Sequence, residues 1–499
     1  MDVGQLKDDV GSGRIGVDRL VELVVMLQRQ LQESQRRVAE LEKKFGCEAT
    51  VKVAEPFSLR AEEKRQEARG KIKRKKKRSG RRGRVTTAEK LKQAERIEPC
   101  FPAGVAESDC WLSHTRPVWR LENGRAVLVA YEIYRTANNK YGQIRGVLGR
   151  SEFGLEILVA ISFQVHVVGL SFDKVCLLMG FFVNLNLRKS QVDALLTQLA
   201  RHWEGEFERL CTLLAHSAVV HADETSWSLN SVWAFLSEKS RVVLFGVHKD
   251  AATLEQMLDP ATFAGIVISD DAAVYANFTH AQKCWAHLLR KAIKLTLVAP
   301  DNAEYRRLAD GLLEVYREAC RVQRDGRFSD AGRAQKVAAL DDEILELCGP
   351  VWIQDLPPLE GSDDDYRRLC NEVMRLMLAQ ELFTFVTAAP VKTPTGEIVP
   401  VSGTNNEAER TLWNPAGARD TGRTNKTLAG ARRRTIHVSV LESLRCYLPK
   451  FTLTNVIAEV QCWRDTGQSC FAKLLKTLRL TCPEHSMLDR LYPAPAPSG

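Results

Sequence analysis

The sequence predicts an α/β fold built on a mixed sheet, and three observations carry that expectation. Three short apolar runs, residues 217–221, 232–236 and 242–247, are separated by Asn230-Ser231 and by Glu238-Lys239-Ser240. Runs of that length divided by turn residues read as an antiparallel meander. A helix-like segment at 251–258 then leads into the continuous apolar strand GIVIS at 265–269. Finally, the first and fourth strands each run out into a pair of acids, Asp223-Glu224 and Asp270-Asp271.

The elements on either side follow in order. Leu20, Val24, Leu27, Leu31, Ser34, Val38, Leu41 and Phe45 keep a heptad spacing broken only by Ser34, which predicts a coiled coil within residues 1–50 and self-association through it. Residues 51–94 read as a basic linker. Within it KIKRKKKRSGRRGR carries Lys71, Lys73, Arg74, Lys75, Lys76, Lys77, Arg78, Arg81, Arg82 and Arg84 and no acid. Those residues exceed the net charge of +9 for the whole chain, so the basicity is one tether. Such a block cannot fold alone and attracts phosphate backbones without reading base sequence.

Residues 95–150 predict a small strand-containing unit, because RAVLVAYEIYR at 125–135 is dense in β-branched and aromatic residues. Cys100, Cys110 and His114 lie nearby, but without the C-x-x-C pairs of a zinc ribbon, so zinc is not expected. Residues 153–215 are helical by pattern, with Ser190 a candidate N-cap and a helix-turn-helix compatible with the break at Val183-Asn184-Leu185-Asn186. Helices dominate again from Trp285 to about Phe385. Residues 386–404 read as a Pro- and Gly-punctuated loop, and a helix begins near Asn405-Asn406. The C-terminal segment 441–499 is expected to be helical and to end in a disordered YPAPAPSG.

An apolar fraction of 44% and 13 scattered cysteines fit a soluble, intracellular protein with reduced thiols. The N-terminal MDVGQLKDDVGSG is too acidic for a signal peptide, and the apolar stretch at 157–172 is interrupted by Gln164 and His166. Three antiparallel strands, a helix and a fourth strand form the order that begins a ribonuclease-H-like fold, where the first and fourth strands are neighbours. Asp223 and Asp270 would then converge on one edge of the sheet. Hard divalent cations take carboxylate oxygens, and two ions about 3.5–4 Å apart can stabilise both oxygens of a phosphodiester displacement. The third carboxylate is sought in NNEAERTLW at 405–413. Glu409 is the candidate and Glu407 its rival, about 200° away around a helix at roughly 100° per residue.

VVHADETSW, GIVISDDAAVY, KCWAHLLRKA and NNEAER together resemble the transposases of the insertion-sequence-sixty-six family, over about residues 155–440. The resemblance implies an α/β ribonuclease-H-like catalytic core at 216–440 with a large helical insertion at about 288–385, the N-terminal coiled coil and a small DNA-binding region. It implies Asp223, Asp270 and Glu409 as catalytic, metal-binding residues for two Mg²⁺ or Mn²⁺ ions. Asp270 is preferred to Asp271 by its distance from Tyr275. His287, in C-W-A-H, is implied to lie near the active site, with Arg290, Lys291 and Arg410 as further contacts to DNA. Cys284 and His287 offer half of a zinc site with no evident second pair.

The implied activity is cleavage of transposon ends and joining of the freed 3′-OH to target double-stranded DNA, in the bacterial cytoplasm and nucleoid, by a homo-oligomer with possible element-encoded accessory proteins and no membrane. Two departures stand out: the family's zinc-ribbon cysteine pairs are missing, and TLWNPAGARDTGRTNKT replaces the usual Arg-Pro and Gly-Arg-Lys-Asn segment. The alternatives are a DNA-binding derivative that no longer transposes, and another nuclease of the same fold.

Overall fold

The computed structural model describes residues 85–353 and 361–493. The expected coiled coil and the basic run at 71–84 lie outside the described residues. Part of the expected linker does fold. Helix α1 (Thr87–Lys92) is capped reciprocally, with Thr86 Oγ1 accepting from Glu89 N at 3.2 Å and Glu89 Oε2 accepting from Thr86 N at 2.7 Å.

A three-stranded sheet follows, formed by β1 (Arg96–Cys100), β2 (Trp111–Glu122) and β3 (Arg125–Arg135) in the order β1-β3-β2. Strand β3 has the limits its composition predicts. It joins β2 through Asn123-Gly124, both at positive φ (49° and 77°), the two-residue hairpin geometry that matches strand twist. The sheet covers its own small core around Val118, Val129 and Tyr131.

Three helices come next: α2 (Leu155–Ser162), α3 (Phe172–Val183) and α4 (Lys189–Ala215), with a π-helical turn at Phe163–Val167 between the first two. Asn184 ends α3 in the left-handed conformation (φ 57°). The N-cap of α4 is Arg188, two residues before the expected Ser190. The paired helices do not form a free-standing reading head. Along α4, Leu196, Trp203, Phe207, Leu210 and Leu214 are fully buried in the main core, while Lys189, Asp193, Arg201 and His202 stay exposed.

The main sheet has β4 (Val219–Ser226), β5 (Ser231–Ser237), β6 (Arg241–Val247), β7 (Ile266–Ser269) and β8 (Ala281–Lys283), ordered β6-β5-β4-β7-β8. The first three strands are antiparallel, and β7 pairs parallel to β4 after the helix α5 (Ala251–Met257), as the sequence order predicts. β4 extends further than expected: it pairs with β5 as far as Ser226↔Ser231, so Asp223 and Glu224 lie inside the strand. The parallel pairing with β7 stops at His221↔Ile268.

The chain between β8 and residue 387 forms α6 (Trp285–Val298), α7 (Ala303–Arg324), α8 (Asp330–Ile353), α9 (Ser362–Leu378) and α10 (Thr384–Thr387) around a second core that includes Trp285, Leu312, Ile344 and Phe385. The expected loop at 386–404 contains a short hairpin, β9 (Val391–Lys392) with β10 (Ile398–Val399). Helix α11 (Asn406–Asp420) and helix α12 (Leu428–Tyr447) return to the main sheet. α12 runs through residue 440, so the expected division there falls inside a helix. Helices α13 (Leu453–Thr466), α14 (Cys470–Thr477) and α15 (Met487–Leu491) also pack on the main core. Tyr492, expected in a disordered tail, is buried, and its hydroxyl donates to Phe245 O at 2.8 Å.

α12 closes the open edge of β6 with a row of hydroxyls. Thr435 Oγ1, Ser439 Oγ and Ser443 Oγ, spaced four residues apart, accept from the N–H groups of Phe245, Val243 and Arg241, each at 2.9 Å. A helix face thus supplies the partners a further strand would supply. Ser439→Ala leaves the buried Val243 N–H without its acceptor and is expected to cost about 1–3 kcal/mol, read as a lower urea midpoint with an unchanged m-value.

Candidate active site

Asp223 and Asp270 both lie just beyond the carboxyl end of the β4/β7 pairing, where open α/β sheets place their ligands. Asp223 Oδ1 accepts from Glu224 N at 2.9 Å, and Asp270 Oδ1 from Ala272 N at 3.1 Å. Neither carboxylate makes an ion pair among the described residues. Burial pushes the Asp223 carboxyl up to about 7, and the charge of Glu224, followed by those of Asp270 and Glu409, adds to the rise. Asp270 and Glu409 are thus near enough for their charge to act on Asp223, but the three do not present donor atoms within 4.8 Å of one another.

Glu224 points to the other side of β4, as strand alternation predicts, but not into solvent. Its carboxylate is buried, accepts from Tyr275 Oη at 2.5 Å and pairs with Lys249 Nζ at 2.9 Å. The 3₁₀ turn Ala273–Tyr275 thus folds back under the site, which gives the spacing between Asp270 and the aromatic residue a structural reason. Burial and Glu224 hold the Tyr275 phenol well above its ordinary value, so it remains a donor. Asp271 pairs with Arg375 of α9 and faces the helical insertion.

Glu409 reaches the site through Asn405. Asn405, at the N-cap of α11, makes no side-chain cap hydrogen bond: its side chain turns to the sheet. Its Nδ2 donates to Ala222 O at 2.8 Å, its Oδ1 meets His221 Nδ1 at 3.3 Å, and its backbone N–H donates to Cys284 Sγ at 3.1 Å. The helix that starts there carries Glu409 to the beginning of α6, where it pairs with Arg290 and lies 3.5 Å from His287 Nδ1. Glu407 faces elsewhere and pairs with Arg241, as helical geometry predicts for the rival acid.

His287 therefore belongs to the site. Burial first, and then Arg290, pull its pKa down, while Glu409 and Asp270 act against them. Cys284, His287 and Glu409 present donor atoms within 4.8 Å of one another. Among the described residues, Cys100, Cys110 and His114 are not brought into such a group. Lys291 pairs with Glu372, away from the carboxylates. Arg410 is exposed but lies on the Glu407 side of α11, so it does not accompany Glu409 toward the sheet. Trp413 does follow Glu409 by one turn, and it is 68% exposed.

Two lysines near the acids carry no sequence signal. Lys249 follows β6 in what reads as an ordinary turn. Lys283 sits in β8, a strand of three residues, and is buried with its Nζ 3.4 Å from Ser269 Oγ and 5.6 Å from the centre of the Tyr275 ring. Burial pulls its pKa down, while Glu381, Asp271 and Asp270 pull it up.

No helix among the described residues is long and apolar enough to cross a membrane. No curated protein matches the sequence. Residues 150–387, which contain Asp223 and Asp270 but end before the helix of Glu409, match the family model described as Transposase IS66 family, and over those residues the chain is similar to that family.

Proposed function

We propose that this protein is a metal-dependent DNA transposase with a ribonuclease-H-like core, in which Asp223, Asp270 and Glu409 hold two divalent cations, Mg²⁺ or Mn²⁺. It would cut the ends of a transposable element and join the freed 3′-OH ends to target double-stranded DNA. The observation that supports this reading is that Asp223 and Asp270 lie just beyond the carboxyl end of the β4/β7 pairing, where burial and Glu224, with smaller additions from Asp270 and Glu409, push the Asp223 carboxyl up to about 7. The sheet order β6-β5-β4-β7-β8 supports the fold assignment.

The donor set fits hard cations. It is made of oxygens, and among the described residues Asp223 and Asp270 pair with no cationic side chain, whereas Glu409 pairs with Arg290. When bound, such cations supply the positive charge that stabilises the attacking and leaving oxygens of a phosphodiester displacement. The chain's own groups position the rest. Tyr275 donates to Glu224 and Lys249 pairs with it on the other side of β4, which leaves Asp223 as the acid of that strand that would be directed at the cations. Arg290 pairs with Glu409, and were Glu409 to hold a cation its guanidinium would be free for a DNA phosphate. Trp413 offers an indole face for a base at the strand end. The coiled coil would join copies of the chain and the basic run would hold DNA, in the cytoplasm and at the nucleoid, with or without accessory proteins.

The test uses DNA carrying the inverted repeats that flank the gene. With Mg²⁺ the protein is expected to nick those ends and yield joined products, and a chelator should abolish both. Mg²⁺ at about 100 times its Kd should also stabilise the fold by about 2.7 kcal/mol. Salt-sensitive binding without any nicking would establish instead a DNA-binding derivative. Cleavage without joined ends would establish a nuclease.

A further inference from the structure

On the far side of α11 from Glu409 is a cavity of about 350 Å³, between α11, α12, β6 and the π-helical turn after α2. Its size is at the lower end of the roughly 300–1,000 Å³ that small organic ligands occupy. Four arginines line it. Two are already matched by acids: Arg241 pairs with Glu407, and Arg445 with Glu442 at 3.4 Å. Among the described residues, Arg410 and Arg434 pair with no carboxylate, so the lining carries two uncompensated positive charges.

The buried groups here are built rather than incidental. Arg434 is 7% exposed, with its guanidinium 4.5 Å from the Phe245 ring centre and 5.1 Å from that of Trp227. Its Nε has no partner, and Nη1 reaches only Arg423 O at 3.4 Å. His166 is also 7% exposed, and neither of its ring nitrogens has a partner. It stacks on His437 at 4.8 Å, and the π-helical turn around it widens the helix where the ring meets the cavity. A buried imidazole without a hydrogen bond is costly unless a ligand completes it. A neutral imidazole can donate one hydrogen bond to an anion, and the arginine forks can supply several more.

We infer that this cavity binds a phosphate monoester, either a free nucleotide or the 5′-phosphate at the end of a DNA strand. The guanidiniums of Arg410 and Arg434 would neutralise its charge, and His166 would donate to one of its oxygens.

The experiment is calorimetric titration of the full chain, at fixed ionic strength and without divalent metal, with a deoxynucleoside 5′-monophosphate. Binding at one site per chain is expected, weakened about tenfold by Arg410→Gln, the effect of losing one charge-assisted hydrogen bond. Arg410 is exposed, so that variant should fold; His166→Gln, checked by its melting curve, tests the buried partner. Displacement of the nucleotide by a short 5′-phosphorylated strand, but not by its 5′-hydroxyl counterpart, would identify a DNA end as the source. Binding of the nucleotide without such displacement would identify a free nucleotide. The basic run at 71–84 also attracts phosphates, but Arg410→Gln leaves that attraction unchanged. Absence of saturable binding, or equal binding by the parent and both variants, would overturn the inference.

Discussion

Asp223→Asn is expected to lower cleavage and joining of transposon-end DNA by at least about 10³-fold, the scale of losing one preorganised electrostatic partner at a reacting centre. DNA binding should survive, because phosphate contacts elsewhere, the basic run foremost, supply most of the affinity. The same substitution should stabilise the metal-free protein. The folded-state pKa of Asp223 is about 7, against an ordinary value of 3.8. Between those values the folded protein binds more protons than the unfolded chain, so its stability falls as pH rises through that window. Asparagine carries no charge and escapes this loss. At pH 8 with a chelator the variant should exceed the parent by on the order of 2 kcal/mol, the figure allowing for the partial exposure of the carboxyl. Near pH 4 the difference should vanish. Adding Mg²⁺ should stabilise the parent and not the variant. An aspartate whose role was a salt bridge would give the opposite sign at pH 8. Full strand transfer by the variant would remove Asp223 from the catalytic set.

Much of this arrangement was legible because it rests on local periodicity. The apolar runs predicted the meander and β7, and the order of elements predicted that β4 and β7 would be neighbours. Helical geometry separated Glu407 from Glu409, and the two indeed meet different arginines. What escaped depends on groups far apart in sequence. The run expected for β4 stops at His221, yet the strand continues to Ser226 because β5 supplies partners that far. β8 is held by the Gln282 side chain, which donates to Leu382 O at 2.9 Å and accepts from Phe385 N at 2.9 Å, so a segment with only one apolar residue forms a buried edge strand. Tyr492 sits among prolines in the sequence, but its place is set by Phe245, from the other half of the chain. Asn405 is the same kind of case. Before a helix an asparagine signals a cap, and nothing nearby reveals that its amide bonds to β4.

Asn405→Ala is accordingly expected to damage function more than its cost to the fold suggests. Asn405 is fully buried at the point where the pairing of β4 with β7 stops. Its amide takes the carbonyl of Ala222, the residue before Asp223, while its own carbonyl accepts from Glu409 N at 3.1 Å. One residue thus fixes two of the three acids relative to each other. Alanine leaves Ala222 O and His221 Nδ1 without these partners, a loss of about 2–4 kcal/mol measurable by urea denaturation. The helix start would then be free to shift from the sheet, and a displacement near 1 Å at a reacting centre can cost about 10²-fold in rate. The two effects are separable. Well below the melting temperature, loss of folded protein alone would lower the yield of joined DNA at every Mg²⁺ concentration by the same fraction. Displacement of Glu409 would raise the Mg²⁺ concentration needed for half-maximal joining, because Glu409 would then lie further from the other two acids. A variant with the parent's stability and the parent's Mg²⁺ requirement would show that α11 finds its position without Asn405, and that the close packing of Ala408 and Leu412 against the sheet suffices to bring Glu409 to Asp223.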